Sequence, residues 1–204
     1  VLMACVLFIT YILSKAIFEK KFNDINGSKY LLFFAWIITG FAFLVKGPLV
    51  FLFIFSTAIF FRIFSGINFI KDIKIISGFI LFLLIALPWF LFINLGDNSG
   101  VFIDSIKKDM LFKIISVQES HGSPPGSYFL SSIIFSWPIF LFILPTCIWS
   151  YKNKSNMAVL FLICSILPAW IFFELMPTKL LHYILPILPY FAILTSAMLV
   201  SSIS

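Results

Sequence analysis

The sequence predicts an all-α fold, a polytopic transmembrane helical bundle of about seven spans with one interfacial amphipathic helix, and three observations predict it. Hydrophobic residues make up 62% of the 204-residue chain and charged residues only 11%. Apolar runs of membrane-spanning length recur from end to end, and the few charges gather in the connections between them. Such a composition excludes an ordinary soluble domain. The net charge of +6 would suggest nucleic acid in a soluble protein. Here its placement between apolar runs reads as membrane topology, and no nucleic-acid partner is expected.

Six connections punctuate the apolar runs: 15–29, the Lys46-Gly47-Pro48 break, 62–74, 96–126, 151–156 and 177–183. The first span, "VLMACVLFITYIL", has neither an initiator Met nor a basic segment before it, so it reads as a span entered partway rather than a signal peptide. The whole of 1–204 is accordingly expected to be one transmembrane domain, a fragment of a longer membrane domain. The second and third spans need an argument, because 30–61 is an almost unbroken apolar run, "FAFLVKGPLVFLF" at its centre. As one helix it would run about 48 Å against a hydrocarbon core of about 30 Å. Pro48 lacks a backbone donor and pushes Gly47 out of the α region, so a turn there is physically easy. It also relieves Lys46, which at mid-bilayer would cost about 2.5 to 3.5 kcal/mol.

Charge tests the turn independently, since cytoplasmic loops carry the excess of Lys and Arg. With a turn at Lys46 the connections alternate sides. The 15–29, 62–74 and 151–156 connections then hold nine Lys and Arg against three acids, and the opposite face holds five of each. A lysine in mid-helix would instead put the two most basic loops on opposite sides. The alternation places Lys46, the 96–126 loop and the 177–183 segment on the non-cytoplasmic face. Within that loop Ile103, Ile106, Met110, Ile114 and Val117 recur at three- and four-residue spacing, while Asp104, Lys107, Lys108 and Asp109 fill other positions. This pattern predicts an amphipathic helix lying in the interface. "HGSPPGSYF" then breaks it and leads into the fifth span.

Few residues are equipped for chemistry. Lys46 at the outer end of two spans has two readings, a cation for a phosphate or a lysine that snorkels to the interface. Lys179, His182 and Tyr183 in "PTKLLHYILPILPY" are expected at a helix N-terminus that favours anions, with Lys179 and His182 on one helix face. Tyr183 reads equally as an interfacial aromatic, and Trp89 and Trp137 read as belt or packing residues. Among the outer acids Asp97, Asp104, Asp109, Glu119 and Glu174, no two are tightly spaced. Asp104 and Asp109 belong to a solvated helix face, and Glu174 is the most interesting because it ends a span. Cys5, Cys147 and Cys164 are odd in number, lie within apolar runs and lack metal-ligand spacing, so they are expected to be small buried hydrophobes. No metal site is assigned; His121 beside Glu119 is a weak pair without further ligands at matching spacing.

"FLVKGPLVF" resembles the KGP stretch of the polyprenyl-phosphate-sugar-dependent glycosyltransferases related to aminoarabinose lipid A transferase and the protein O-mannosyltransferases. "ALPWF", "HGSPPGSYF", "SWPIF" and "KLLHYILPILPY" follow in the order that family shows, with the KGP and KLLHYILP segments the most specific. The resemblance covers most of the chain. It implies a GT-C fold in the bacterial inner membrane, with the active face periplasmic. The implied reaction moves a sugar from a polyprenyl-phosphate donor to lipid A, another glycolipid or a protein hydroxyl. The family positions near the donor phosphate correspond to Lys46 and, with weaker correspondence, Lys179 and His182; Tyr183 joins them as a donor-phosphate residue. The family's acidic catalytic motif lies in a first outer loop, upstream of Val1, so no catalytic residue is identified here and the chain on its own is expected to be inactive. No cofactor is certain, with a divalent metal ion left open. The partners implied are the lipid-linked donor, a lipid or protein acceptor and membrane lipids. The alternative is a transporter or flippase subunit for a lipid-linked anion, since a cation at a broken helix also suits an anion path. Against it, the charges gather at one face and not at the midplane.

Overall fold

The computed structural model describes residues 1–19, 26–69, 72–95, 124, 126–177 and 179–203. Every regular element among them is helical: α1 (Leu2–Phe18), α2 (Asn26–Lys46), α3 (Leu49–Ser65), α4 (Ile75–Leu95), α5 (Ser127–Phe135), a 3-10 turn at Ile139–Phe142, α6 (Ile143–Lys152), α7 (Met157–Leu175), a second 3-10 turn at Leu181–Tyr183, and α8 (Leu188–Ile203). Three stretches, Lys29–Lys46, Ile75–Phe92 and Met157–Leu175, are long and apolar enough to cross a membrane. Four shorter apolar helical stretches, Leu2–Phe18, Leu49–Ser65, Ile139–Lys152 and Leu188–Ser202, stand with them. Together they fall where the sequence places its seven spans, and the chain is a polytopic helical membrane protein. The interfacial helix over 103–117 lies outside the described residues, as do Asp97, Asp104, Asp109, Glu119 and His121.

Apolar side chains make these helices stable in hydrocarbon only because the backbone satisfies itself, and the hydroxyls follow the same rule. Thr10 donates to the Val6 carbonyl at 2.8 Å, Thr39 to Ala35 at 2.8 Å and Ser165 to Phe161 at 2.9 Å. Each returns its proton to the preceding turn. Asn156 caps α7, its side-chain oxygen accepting the Ala158 N–H at 2.9 Å. Pro88 and Pro168 are accommodated inside α4 and α7. The fifth span is not one helix. It stops at Phe135, turns through Ser136 to Pro138 and resumes as 3-10 and then α helix, since Pro138 brings no N–H to continue the ladder.

The chain divides into two compact units, Val1–Phe55 with Gly66–Asp104, and Ser56–Ser65 with Ser105–Ser204. In the first, α2 packs on both α1 and α4. Ile12, Ala16, Leu32 and Ala35 form a buried cluster flanked by Phe8 and Ile73. The Phe43 ring lies 5.7 Å from Phe51 and 5.3 Å, edge to face, from Phe82. Glycines let α2 and α4 approach closely. A Cβ at Gly40 would sit 3.0 Å from the Ile85 Cβ, and one at Gly78 would sit 2.0 Å from the Trp36 indole nitrogen. That indole N–H donates to the Ile73 carbonyl at 3.1 Å.

In the second unit α8 packs against α6 and α7. Thr146 on α6 donates to the Thr195 hydroxyl on α8 at 3.2 Å, and Thr195 passes its proton to the Phe191 carbonyl at 3.0 Å. Phe61 meets Phe161 edge to face at 5.4 Å. Ala169, Phe173, Ile184 and Ile187 are completely buried. Of the cysteines Cys164 is buried, Cys5 half-buried and Cys147 exposed. Cys147 departs from the expected burial because it lies on an outward face of α6 beside Leu144 and Ile148, where hydrocarbon accepts a thiol as readily as a core does.

Candidate functional site

Lys46 ends α2, and the backbone shows why the helix stops there. Gly47 adopts the left-handed region at φ +62° and its N–H bonds the Phe43 carbonyl at 2.7 Å. That single bond from the residue after the cap to the fourth carbonyl back is the αL form of helix termination. Pro48 then starts α3, its carbonyl accepting the Phe51 N–H at 3.0 Å. The expected turn between the second and third spans is therefore present. Lys46 is exposed and, among the described residues, has no ion-pair partner. Its charge sits at the negative end of the α2 dipole, where a cation is favoured.

The 177–183 segment differs from its expected form. α7 ends at Leu175, and Leu180 is extended, with φ −109° and ψ 116°. A 3-10 turn carries Leu181 to Tyr183, and α8 begins only at Leu188. Lys179 and His182 thus share no helix face, and neither stands at the first turn of α8. Pro186 is the physical reason: it disfavours the α region at Leu185 and has no N–H to give a helix started earlier. His182 is exposed, its ring centroid 4.8 Å from that of Tyr183. Tyr183 is buried, its ring 5.3 Å from Phe173, so it is not a belt aromatic at the surface.

Lys179 is the larger surprise. Its side chain is only 4% exposed, and its ammonium donates to the Phe173 carbonyl at 3.1 Å and to the Glu174 carbonyl. These two groups belong to the last turn of α7, where carbonyls run short of helical donors; the Phe173 carbonyl also accepts the Met176 N–H at 3.2 Å. The ammonium also lies 3.9 Å from a Glu174 carboxylate oxygen and 5.2 Å from the centre of the Tyr128 ring. Burial pulls the lysine down from its ordinary pKa, and the Glu174 charge opposes that shift.

Tyr128, which the sequence did not single out, fastens the neighbouring residue. Its hydroxyl donates to the Leu180 carbonyl at 3.0 Å and accepts the Leu180 N–H at 2.9 Å. The same Glu174 oxygen that faces Lys179 accepts the Gly126 N–H, while its second oxygen is buried and, among the described residues, has no hydrogen-bond partner. A tyrosine two residues after the Gly126 break was the available signal, though a tyrosine at a span end is also what an interfacial belt supplies. Trp89 and Trp137 are both exposed, at 53% and 67%. Among the described residues no group of three or more His, Cys, Asp or Glu side chains is arranged to hold a metal ion.

A many-spanning helical membrane domain is the class that this order of spans defines. A solved structure with a similar fold is that of ArnT from Cupriavidus metallidurans, crystallised with undecaprenyl phosphate bound. The two agree with a TM-score of 0.77 and 17% identity over 97% of this chain, which shows a common fold. The chain spans 35% of the length of ArnT. No family model and no curated protein matches the sequence.

Proposed function

We propose that this chain is part of the membrane domain of a glycosyltransferase that takes its sugar from a polyprenyl-phosphate donor at the outer face of the membrane. The observation that carries the reading is the fold shared over 97% of the chain with a protein whose structure holds undecaprenyl phosphate. The finer assignment, a bacterial inner membrane with lipid A, a glycolipid or a protein hydroxyl as acceptor, rests on the motif resemblance.

In this reaction an acceptor hydroxyl attacks the anomeric carbon and the carbon–oxygen bond to the phosphate breaks. A base takes the hydroxyl proton, and the departing polyprenyl phosphate gains a negative charge that cations must stabilise. Lys46 is the residue best suited to that role, since its side chain is exposed at the turn after α2 and, among the described residues, has no ion-pair partner. His182 and Tyr183, on their own turn, are the second group of candidates. Lys46→Ala should lower sugar transfer, measured with a radiolabelled polyprenyl-phosphate sugar and the full protein, by roughly ten- to a hundredfold, the worth of one charge-assisted hydrogen bond. An unchanged rate at unchanged expression would show that Lys46 only snorkels.

A further inference from the structure

We infer that Lys179 and Glu174 form a positioning pair, a buried polar clamp that fixes the turn carrying His182 and Tyr183, and that Lys179 is not itself a contact of the donor phosphate. The identity of the ligand rests on the functional reading above; the clamp stands on geometry alone.

An ammonium has three protons to give. Two go to the Phe173 and Glu174 carbonyls, and the remaining charge faces the Glu174 carboxylate at 3.9 Å and the Tyr128 ring at 5.2 Å. To reach a phosphate, Lys179 would have to give up both carbonyls and leave a carboxylate that is itself largely buried without its counter-charge. Fixing the chain is what this arrangement does instead. Lys179 is tied to the end of α7, and Leu180 is tied through both its backbone groups to Tyr128 at the start of α5. Glu174 closes the loop by accepting the Gly126 N–H, so the ends of two helices and the 179–180 segment share one set of polar contacts. His182 follows two residues after Leu180, and the Tyr183 ring rests on Phe173, whose carbonyl Lys179 holds. The placement of both side chains is thereby set by residues that never need to touch a ligand.

A double-mutant cycle tests this in the full chain reconstituted in nanodiscs, with undecaprenyl phosphate as the probe. The variants are Lys179→Met, Glu174→Gln and the pair together, each read for thermal midpoint and for affinity. The clamp predicts that each single variant lowers the midpoint and weakens binding by about fivefold or more, and that the double variant loses no more than the worse single one. Lys179→Arg, which keeps charge and donors, should recover part of both. A direct phosphate contact predicts a loss of affinity in Lys179→Met with the midpoint kept and with Glu174→Gln binding normally; that result, or strictly additive losses, overturns the clamp. Should Lys179→Met not fold, Glu174→Gln decides, because it keeps volume and normal binding and midpoint there have the same meaning. If the unaltered chain binds no undecaprenyl phosphate, the functional reading falls and the thermal cycle alone still decides the clamp.

Discussion

At Gly47 one dihedral angle divides what composition alone would pass as a single helix. The φ of +62° is a conformation that costs a residue with a Cβ about 1 kcal/mol. Gly47→Ala is therefore expected to lower stability by about 1 kcal/mol, measured by reversible denaturation in detergent micelles, and a neutral result would show that the α2 stop has another cause. This turn was legible in advance because two independent constraints, the bilayer thickness and the loop charges, both demanded it. Lys179 was not legible in the same way. A lysine three residues before a histidine suggests a shared helix face, but that inference assumes the helix has begun. Whether it has depends on Pro186, seven residues further on, and on the carbonyls at the end of α7 that the ammonium takes up, which no local pattern announces.

Elements were legible where hydrophobicity decides them and less so where packing does. The seven apolar stretches follow from composition, since hydrocarbon imposes helix on any run of that length. The interruption of the fifth at Ser136 to Pro138 is weaker in the sequence, because Pro88 and Pro168 stand in equally apolar runs and their helices continue. Proline alone does not say whether neighbouring groups will take up the freed carbonyl. The close approach of α2 and α4 was likewise hidden, for a glycine in a span marks contact only once its neighbour is known. Gly40→Leu should push Ile85 aside and cost about 1 to 3 kcal/mol, and Ile85→Ala in the same chain should recover part of the loss. Both are readable as thermal midpoints; equal stability of Gly40→Leu and the unaltered protein would mean that the two helices part without penalty.

At the scale of the molecule, function depends on which face of the membrane each loop meets. The proposed function requires the Lys46 turn to face the non-cytoplasmic side, as the loop charges lead one to expect. A single cysteine at position 46, with Cys5, Cys147 and Cys164 replaced, should react with a membrane-impermeant thiol reagent added from outside to intact cells. Reaction only after the cytoplasmic side is opened would invert the topology and with it the proposed chemistry. The fold class and the turn that ends α2 at Lys46 were both within reach of sequence because each is fixed by a bilayer, a solvent whose demands are simple. The sugar and the acceptor of the proposed reaction would be fixed by the shapes of pockets, which one sequence does not spell out.

The indole of Trp36 fills the space that any side chain at position 78 would require. The two positions therefore form one shared volume, and evolution cannot alter one without the other. Among natural relatives of this chain a residue larger than glycine at 78 should accompany a smaller one at 36, so that paired variation across lineages would carry the record of this contact.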